Sequence, residues 1–381
     1  MPELDIAPVM APSHPILSVI VPVYRGGQQL TDVLAAITAS DLPRECWELV
    51  VVDDASPDDS AERAAAFADT VIRLTGRPRG PAYARNRGFE IARGDVVVFI
   101  DADVCIRSDV LRRFALHFAD QSVGAVVGSY TSETSARGIV SQYRSLLHRY
   151  LRLCSPSDVD FFWPACGAIR RREFVAAGMF DEWHYWRPQA EGAELGQRVA
   201  DGGRRIVLDQ LIQAVHLRRW TIRSLVGTYL VDLGMPWLRL LLQKRSLVSS
   251  KAPHLSTREK VSTGLAWVAA LLLGVASVRQ SGQFFSMAGW AALSLFLLGL
   301  PFLTFATRER GVVTAIKIVP LHFFHYLLAG ISFALAWLLH HIVGEPQRHA
   351  TDEAFAELGI ETWPPVPRRR AMSAWRPRTH D

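Results

Sequence analysis

Val96-Val97-Val98-Phe99-Ile100-Asp101-Ala102-Asp103 is an apolar run that stops at two carboxylates separated by one residue. Five apolar residues in succession suit a strand buried on both faces. Carboxylates at its carboxyl end then lie where open α/β sheets bind ligands. Two such oxygen donors can hold Mg²⁺ or Mn²⁺, hard cations that keep several waters and bridge the oxygens of a nucleotide diphosphate. Taken alone, Asp-x-Asp is equally the composition of an acidic turn.

The flanking sequence carries the same signal. Residues 17–24 read as a first buried strand, followed by Arg25-Gly26-Gly27 and a helix over 28–39. Residues 48–52 form a second apolar run that stops at Asp53-Asp54-Ala55-Ser56-Pro57, a turn and a helix start. A helix over 61–68, a short strand over 70–74 and a helix over 82–92 lead into the strand at 96–100. Strands alternating with helices predict right-handed crossovers and a mainly parallel sheet with flanking helices, an α/β fold.

Beyond residue 223 the composition changes. Residues 265–278, 284–306 and 319–343 are rich enough in Leu, Ala, Val and Phe to predict three transmembrane helices. Residues 225–242, with Pro236-Trp237 inside, predict an amphipathic interfacial helix. The expected organisation is a tail over 1–15, an α/β domain over 16–223, an interfacial region over 224–260, a transmembrane region over 261–343 and a Pro/Arg-rich tail over 344–381. Formal net charge is +5, and its densest stretches, 204–223 and 239–245, are a membrane-surface signal rather than a nucleic-acid one. No aromatic-basic RNA motif or DNA-binding element is apparent, so no nucleic-acid partner is expected. Cys46, Cys105, Cys154 and Cys166 have neither zinc spacing nor a disulfide framework, which agrees with a reducing compartment. Residues 1–15 carry Glu3, Asp5 and several prolines and lack an apolar core, so no signal peptide is expected.

The order of motifs resembles the nucleotide-diphospho-sugar transferase fold, GT-A, of family-2 glycosyltransferases. The matching pieces are residues 18–24, Val51-Val52-Asp53-Asp54-Ala55-Ser56, residues 80–88 with Ala84-Arg85-Asn86, Asp101-Ala102-Asp103, residues 161–171 and Gly178-Met179-Phe180-Asp181-Glu182. The resemblance implies a donor site built from Pro22, Tyr24, Asp53, Asp54, Arg85, Asn86 and Asp101. Asp53 and Asp54 would accept hydrogen bonds from base and ribose, Arg85 would fork onto the diphosphate, and Asn86 would orient ribose or sugar. It further implies Asp103 as a direct metal ligand with Asp101 beside it, and Cys166 and Gly167 on the acceptor side. Downstream, His216-Leu217-Arg218-Arg219-Trp220 resembles the Gln-x-x-Arg-Trp segment of membrane-bound polysaccharide and glycolipid synthases. By that likeness Arg219 would stabilise the leaving phosphates, Trp220 would stack on the acceptor and His216 would be a third metal ligand.

The family places Glu-Asp, one residue, then Glu-Leu-Gly at the catalytic base. This chain reads Glu191-Gly192-Ala193-Glu194-Leu195-Gly196, with glycine where the base Asp is expected. Three readings stay open. Glu191 supplies the carboxylate, with Gly192 lending backbone freedom; Glu194 supplies it from a turn further on; or the chain is a catalytically silent subunit that binds nucleotide sugar.

The resulting expectation is an inverting glycosyltransferase, dependent on Mn²⁺ or Mg²⁺. It would move sugar from a UDP- or GDP-sugar to a lipid or polyprenyl-linked acceptor at the cytoplasmic membrane face, or serve in polysaccharide synthesis. With the catalytic domain in the cytoplasm, three spans place the tail outside, against the positive-inside rule, given Arg348, Arg368, Arg369, Arg370, Arg376 and Arg378.

Overall fold

The computed structural model describes residues 15–134, 136, 138–185, 190–243 and 255–343. The chain divides into two units, residues 1–337 and 338–381; of the second, only 338–343 are described. The expectations for residues 1–14 and 344–381, and for the basic residues 244–245, fall outside the described residues.

In chain order the first elements are β1 (Leu17–Val23), α1 (Gly27–Thr38), β2 (Trp47–Asp53), α2 (Ser60–Ala65), β3 (Thr70–Arg73), α3 (Pro81–Ile91) and β4 (Val96–Ile100). They follow the expected order, with ends shifted by up to three residues. Then come β5 (Val104–Ile106), α4 (Val110–His117), β6 (Val123–Tyr130), α5 (Ile139–Leu153), β7 (Asp158–Val159), β8 (Cys166–Arg170), α6 (Arg171–Ala176), α7 (Glu191–Asp201) and β9 (Arg205–His216).

The strands form one sheet in the order β3-β2-β1-β4-β8-β6-β9-β5, with β7 pairing β9. The expected parallel pairing runs from β3 to β4. At β8 the direction reverses, because β8 pairs antiparallel with both β4 and β6, so the whole sheet is mixed. Strand β4 is buried on both faces, as its unbroken apolar run requires. Val96, Val98 and Ile100 join a core with Leu30 and Leu34 of α1 and Phe114 of α4. Val97 and Phe99 face the other way, where the Phe99 ring centre lies 5.4 Å from that of Phe174 and 5.1 Å from that of Phe180. Full burial of such a side chain contributes about 1.5–3 kcal/mol.

After β9, Thr221 caps α8 (Ile222–Gly227) in a reciprocal box with Ser224. A π-helical stretch, Thr228–Asp232, joins it to α9 (Gly234–Gln243). The remaining helices are α10 (Thr257–Arg279), α11 (Gly282–Arg310) and α12 (Val312–Ile342). Four stretches are long and apolar enough to cross a bilayer: α10, α11, α12 and residues 222–243 taken together. The fourth is the segment expected at the interface. Its mean hydropathy of 1.3 is the lowest of the four, and Trp237, Leu240 and Leu241 of α9 pack with Tyr185 and Ala190 beside α7. On α10 to α12, large apolar side chains such as Leu271, Val278, Trp290 and Ile316 point outward and are exposed, which suits lipid contact.

Helix α5 has two working faces. Tyr143, Leu146, Leu147 and Tyr150 pack against Phe302 and Ala306 of α11 and Ala315 and Ile318 of α12. Polar contacts reinforce the seam: Tyr143 Oη lies 3.1 Å from His322 Nδ1, and Arg258 Nη1 donates to Tyr150 Oη at 2.7 Å. The other face carries Arg144, His148 and Arg152, at i, i+4 and i+8.

Candidate active site

A cavity of about 750 Å³ opens at the carboxyl ends of β1, β2 and β4, with Pro22, Tyr24, Asp54, Arg85, Asp101, Asp103 and Glu191 among its lining residues. This is the position that an open parallel sheet gives its ligands. Helix α3 brings in Arg85, whose guanidinium is only 2% exposed. Its Nη2 donates to Asp101 Oδ1 at 2.6 Å and its Nη1 to Glu191 Oε1 at 3.0 Å. Arg85 is therefore not a free fork for diphosphate: its two terminal nitrogens tie the metal-side carboxylate to the head of α7.

Asp103 makes a second pair. Its Oδ2 is 3.2 Å from Nε2 of His216 at the end of β9. The His216 ring lies parallel to Tyr130 at 4.7 Å. Burial works to raise the Asp103 carboxyl, but the His216 hydrogen bond and the nearby charges of His216 and Arg218 outweigh it and hold the group below its ordinary value. Carboxylate oxygens with an imidazole suit Mn²⁺ or Mg²⁺. Among the described residues no three acidic, histidine or cysteine side chains stand at the spacing of a preformed cage.

Several expected donor residues have other work. Asp54 lines the cavity, and its carboxylate accepts from the backbone N–H groups of Arg79 at 3.0 Å and Gly80 at 2.7 Å, fastening the loop before α3; burial pushes its carboxyl up. Asp53 does not line the cavity and accepts from Ser56 N at 3.0 Å within its own turn. Asn86 is also away from the cavity: Nδ2 donates to Phe180 O at 2.9 Å and Oδ1 accepts from Phe180 N at 3.2 Å. It clasps the segment after Gly178 instead of orienting a sugar, because it leaves α3 on a different side from Arg85.

The residues of the downstream motif are also divided between the cavity and other surroundings. His216 and Arg218 line the cavity, whereas Arg219 is exposed and outside it. Trp220 is buried beneath the guanidinium groups of Arg218, at 4.6 Å, and Arg144, at 5.3 Å, and is not part of the cavity wall. Cys166 and Gly167 are buried in β8; the acceptor-side segment lines the cavity through Phe161, Phe162, Trp163, Pro164 and Ala165. Glu194 is bound by Arg198 Nη2 at 2.6 Å, and Arg198 also donates to the Ala177 and Met179 carbonyls. Glu194 is a strut within and beside α7, away from the cavity wall.

Gly192 and Gly196 share a face of α7 that lies directly on residues 161–164. A Cβ on Gly192 would stand 2.7 Å from Phe162 O and closer still to Pro164 Cδ. One on Gly196 would stand 2.5 Å from Phe161 Cα and closer to Phe162 N. The position where the family carries its Asp has no room here for any side chain. Arg144, His148 and Arg152 of α5, which the sequence did not single out, also line the cavity, as do Leu233 and Trp237 of the segment expected at the interface. The regular spacing of the α5 residues was the available signal.

The mixed sheet with strand-end carboxylates is a GT-A nucleotide-diphospho-sugar transferase fold. The chain aligns with the mannosyltransferase PcManGT from Pyrobaculum calidifontis, solved in complex with GDP-Man and Mn2+, at TM-score 0.55 and 23% identity, covering 82% of this chain and 89% of that one. Residues 18–176 match the family model for glycosyl transferase family 2. It is 26% identical over 229 residues to a pre-mycofactocin glycosyltransferase of Mycobacterium tuberculosis, covering 58% of this chain and 46% of that protein. It is also 24% identical over 291 residues to the uncharacterized protein MT1568 of the same species, covering 74% of this chain and 84% of the other. The chain thus spans about half the length of the first of these relatives.

Proposed function

We propose that this chain transfers a sugar from a UDP- or GDP-sugar to a lipidic acceptor at the cytoplasmic face of a membrane, inverting the anomeric carbon, with Glu191 as base. The observation that carries this reading is one cavity lined both by Asp101, Asp103 and Glu191 and by Leu233 and Trp237 of a bilayer-compatible segment. The acceptor O–H would attack the anomeric carbon from the Glu191 side. Its proton passes to the Glu191 carboxylate as the bond from that carbon to the nucleoside diphosphate oxygen breaks. Arg85 places the carboxylate and complements its charge. Arg144 and Arg218, both on the Trp220 ring, counter the charge that grows on the departing diphosphate. Asp103, with His216, would hold a divalent cation in the cavity that Asp101 also lines, and its charge would neutralise the same phosphates. The cytoplasmic side follows from where nucleotide sugars are made, and residues 222–243 are read as lying along the interface because α9 packs on Tyr185 and Ala190.

The test is nucleotide release from a panel of UDP- and GDP-sugars by the full chain in neutral detergent, with Mn²⁺ and a membrane lipid extract. Asp103→Asn is expected to lower release by about 10²-fold or more. Binding of nucleotide sugar without release under any condition would establish the silent-subunit reading. Products longer than one added sugar would point to a polysaccharide synthase.

A further inference from the structure

Arg152 has no part in the chemistry above, yet the fold holds it at a cost. It is 8% exposed, and among the described residues no carboxylate pairs with it; its Nη1 has no hydrogen-bond partner. The other two buried arginines are compensated, Arg85 by Asp101 and Glu191 and Arg87 by Glu90 and Glu182. Burial pulls the Arg152 guanidinium from 12.5 down to about 9, which leaves it charged at neutral pH. Its neighbours are ring faces, with the guanidinium carbon 4.2 Å from the Phe161 ring centre and 5.4 Å from that of Trp163. A buried cation without an anion opposes folding, so its retention points to an anion that arrives with a ligand.

The position narrows the ligand. Arg152 lines the cavity beside Leu151 and Phe161, in a wall completed by Leu233 and Trp237 from the bilayer-compatible segment. Arg144, which shares Trp220 with Arg218, lies eight residues earlier on α5, about 12 Å along the helix axis. The cavity therefore offers a second cationic point away from the pair assigned to the donor diphosphate, set in apolar and aromatic surroundings. A phosphate group matches a guanidinium fork and brings up to two charges, and an alkyl chain suits the wall around it.

We infer that Arg152 docks the phosphate of an acceptor lipid that carries a phosphomonoester apart from the hydroxyl that receives the sugar, its chain leaving the cavity past Leu233 and Trp237. This inference rests on the glycosyl-transfer reading of the cavity, and its test needs no turnover. Dissociation constants for dodecyl phosphate, dodecanol and inorganic phosphate are measured by tryptophan fluorescence on the full chain in neutral detergent. UDP and GDP binding and the melting midpoint are followed on the same samples. The parent is expected to bind dodecyl phosphate at least about tenfold tighter than dodecanol or inorganic phosphate. Arg152→Met should abolish that preference and Arg152→Lys should keep part of it. Nucleotide affinity should be unchanged in both, and the Arg152→Met melting midpoint should equal or exceed that of the parent.

Equal affinity for dodecanol, or an undiminished preference in Arg152→Met, overturns the inference. Inorganic phosphate binding as tightly as dodecyl phosphate overturns the lipid and leaves a free-phosphate site. A lower midpoint in Arg152→Met with parallel loss of nucleotide binding means that Arg152 is structural, which also overturns it. A parent that binds dodecyl phosphate selectively but neither nucleotide would instead defeat the transferase reading while leaving the anion subsite standing.

Discussion

Glu191→Gln is expected to slow sugar transfer by about 10²–10⁴-fold while leaving nucleoside diphosphate affinity within about twofold. Glutamine keeps an oxygen that accepts from Arg85 Nη1, now 3.0 Å from Glu191 Oε1, so the buried guanidinium stays satisfied and the wall of the cavity keeps its shape. What is lost is the capacity to take a proton. Single-turnover nucleotide release with acceptor present reads this step directly. A rate within a few-fold of the parent would remove Glu191 as base and leave it as the anchor of Arg85. Glu194→Gln serves as the contrast: its carboxylate is committed to Arg198, away from the cavity wall, and transfer should proceed at nearly the parental rate. Arg85→Met is not an equivalent probe, because it would strand two carboxylates together, a loss of about 3–5 kcal/mol by itself.

Gly196→Ala is expected to destabilise the chain by about 3 kcal/mol or more, lowering the melting midpoint in detergent by about 6 °C or more. The added methyl has only backbone to push against: Phe161 Cα at 2.5 Å and Phe162 N nearer still. Backbone cannot rotate out of the way as a side chain can, so α7 must lift from residues 161–164 and carry Glu191 with it. Activity should fall with stability, unlike in Glu191→Gln. The same geometry predicts that Gly192→Asp does not restore a stronger enzyme by supplying the family's missing carboxylate, since its Cβ would meet Phe162 O at 2.7 Å and press into Pro164. A Gly196→Ala protein with the parental midpoint, or a Gly192→Asp protein with enhanced release, would show that this contact is looser than described.

The first half of the domain was legible because its signals are local. The apolar runs that become β1, β2 and β4 and the Asp-rich turn after β2 each specify their own conformation within a few residues. The site was less legible because its contacts are not local. Arg85 meets carboxylates 16 and 106 residues away, and nothing in Ala84-Arg85-Asn86 tells that arginine would be claimed by both or that asparagine would turn toward Phe180. Beyond the end of β9, Arg218 lines the cavity and Arg219 does not, and a difference of one residue in an irregular segment cannot be read from a motif. Helix α5 went unread for another reason. Tyr143, Leu146, Leu147 and Tyr150 face the α11–α12 seam while Arg144, His148 and Arg152 line the cavity, so the pattern does not resemble a surface helix packed on a sheet.

That divided helix has a consequence for how the protein can be handled and how it can change. Tyr143, Leu146, Leu147 and Tyr150 are covered by α11 and α12, so a version cut after the sheet would bare an oily stripe on the reverse of its own substrate wall. Helices α11 and α12, two of the stretches long and apolar enough to cross a bilayer, thus back the helix that lines the cavity. A tilt of α11 and α12 would reach Arg144 and Arg152 through α5, which packs on both helices. On the proposed transferase reading, relatives can differ in what receives the sugar by remodelling these helices, with Asp101, Asp103 and Glu191 unchanged.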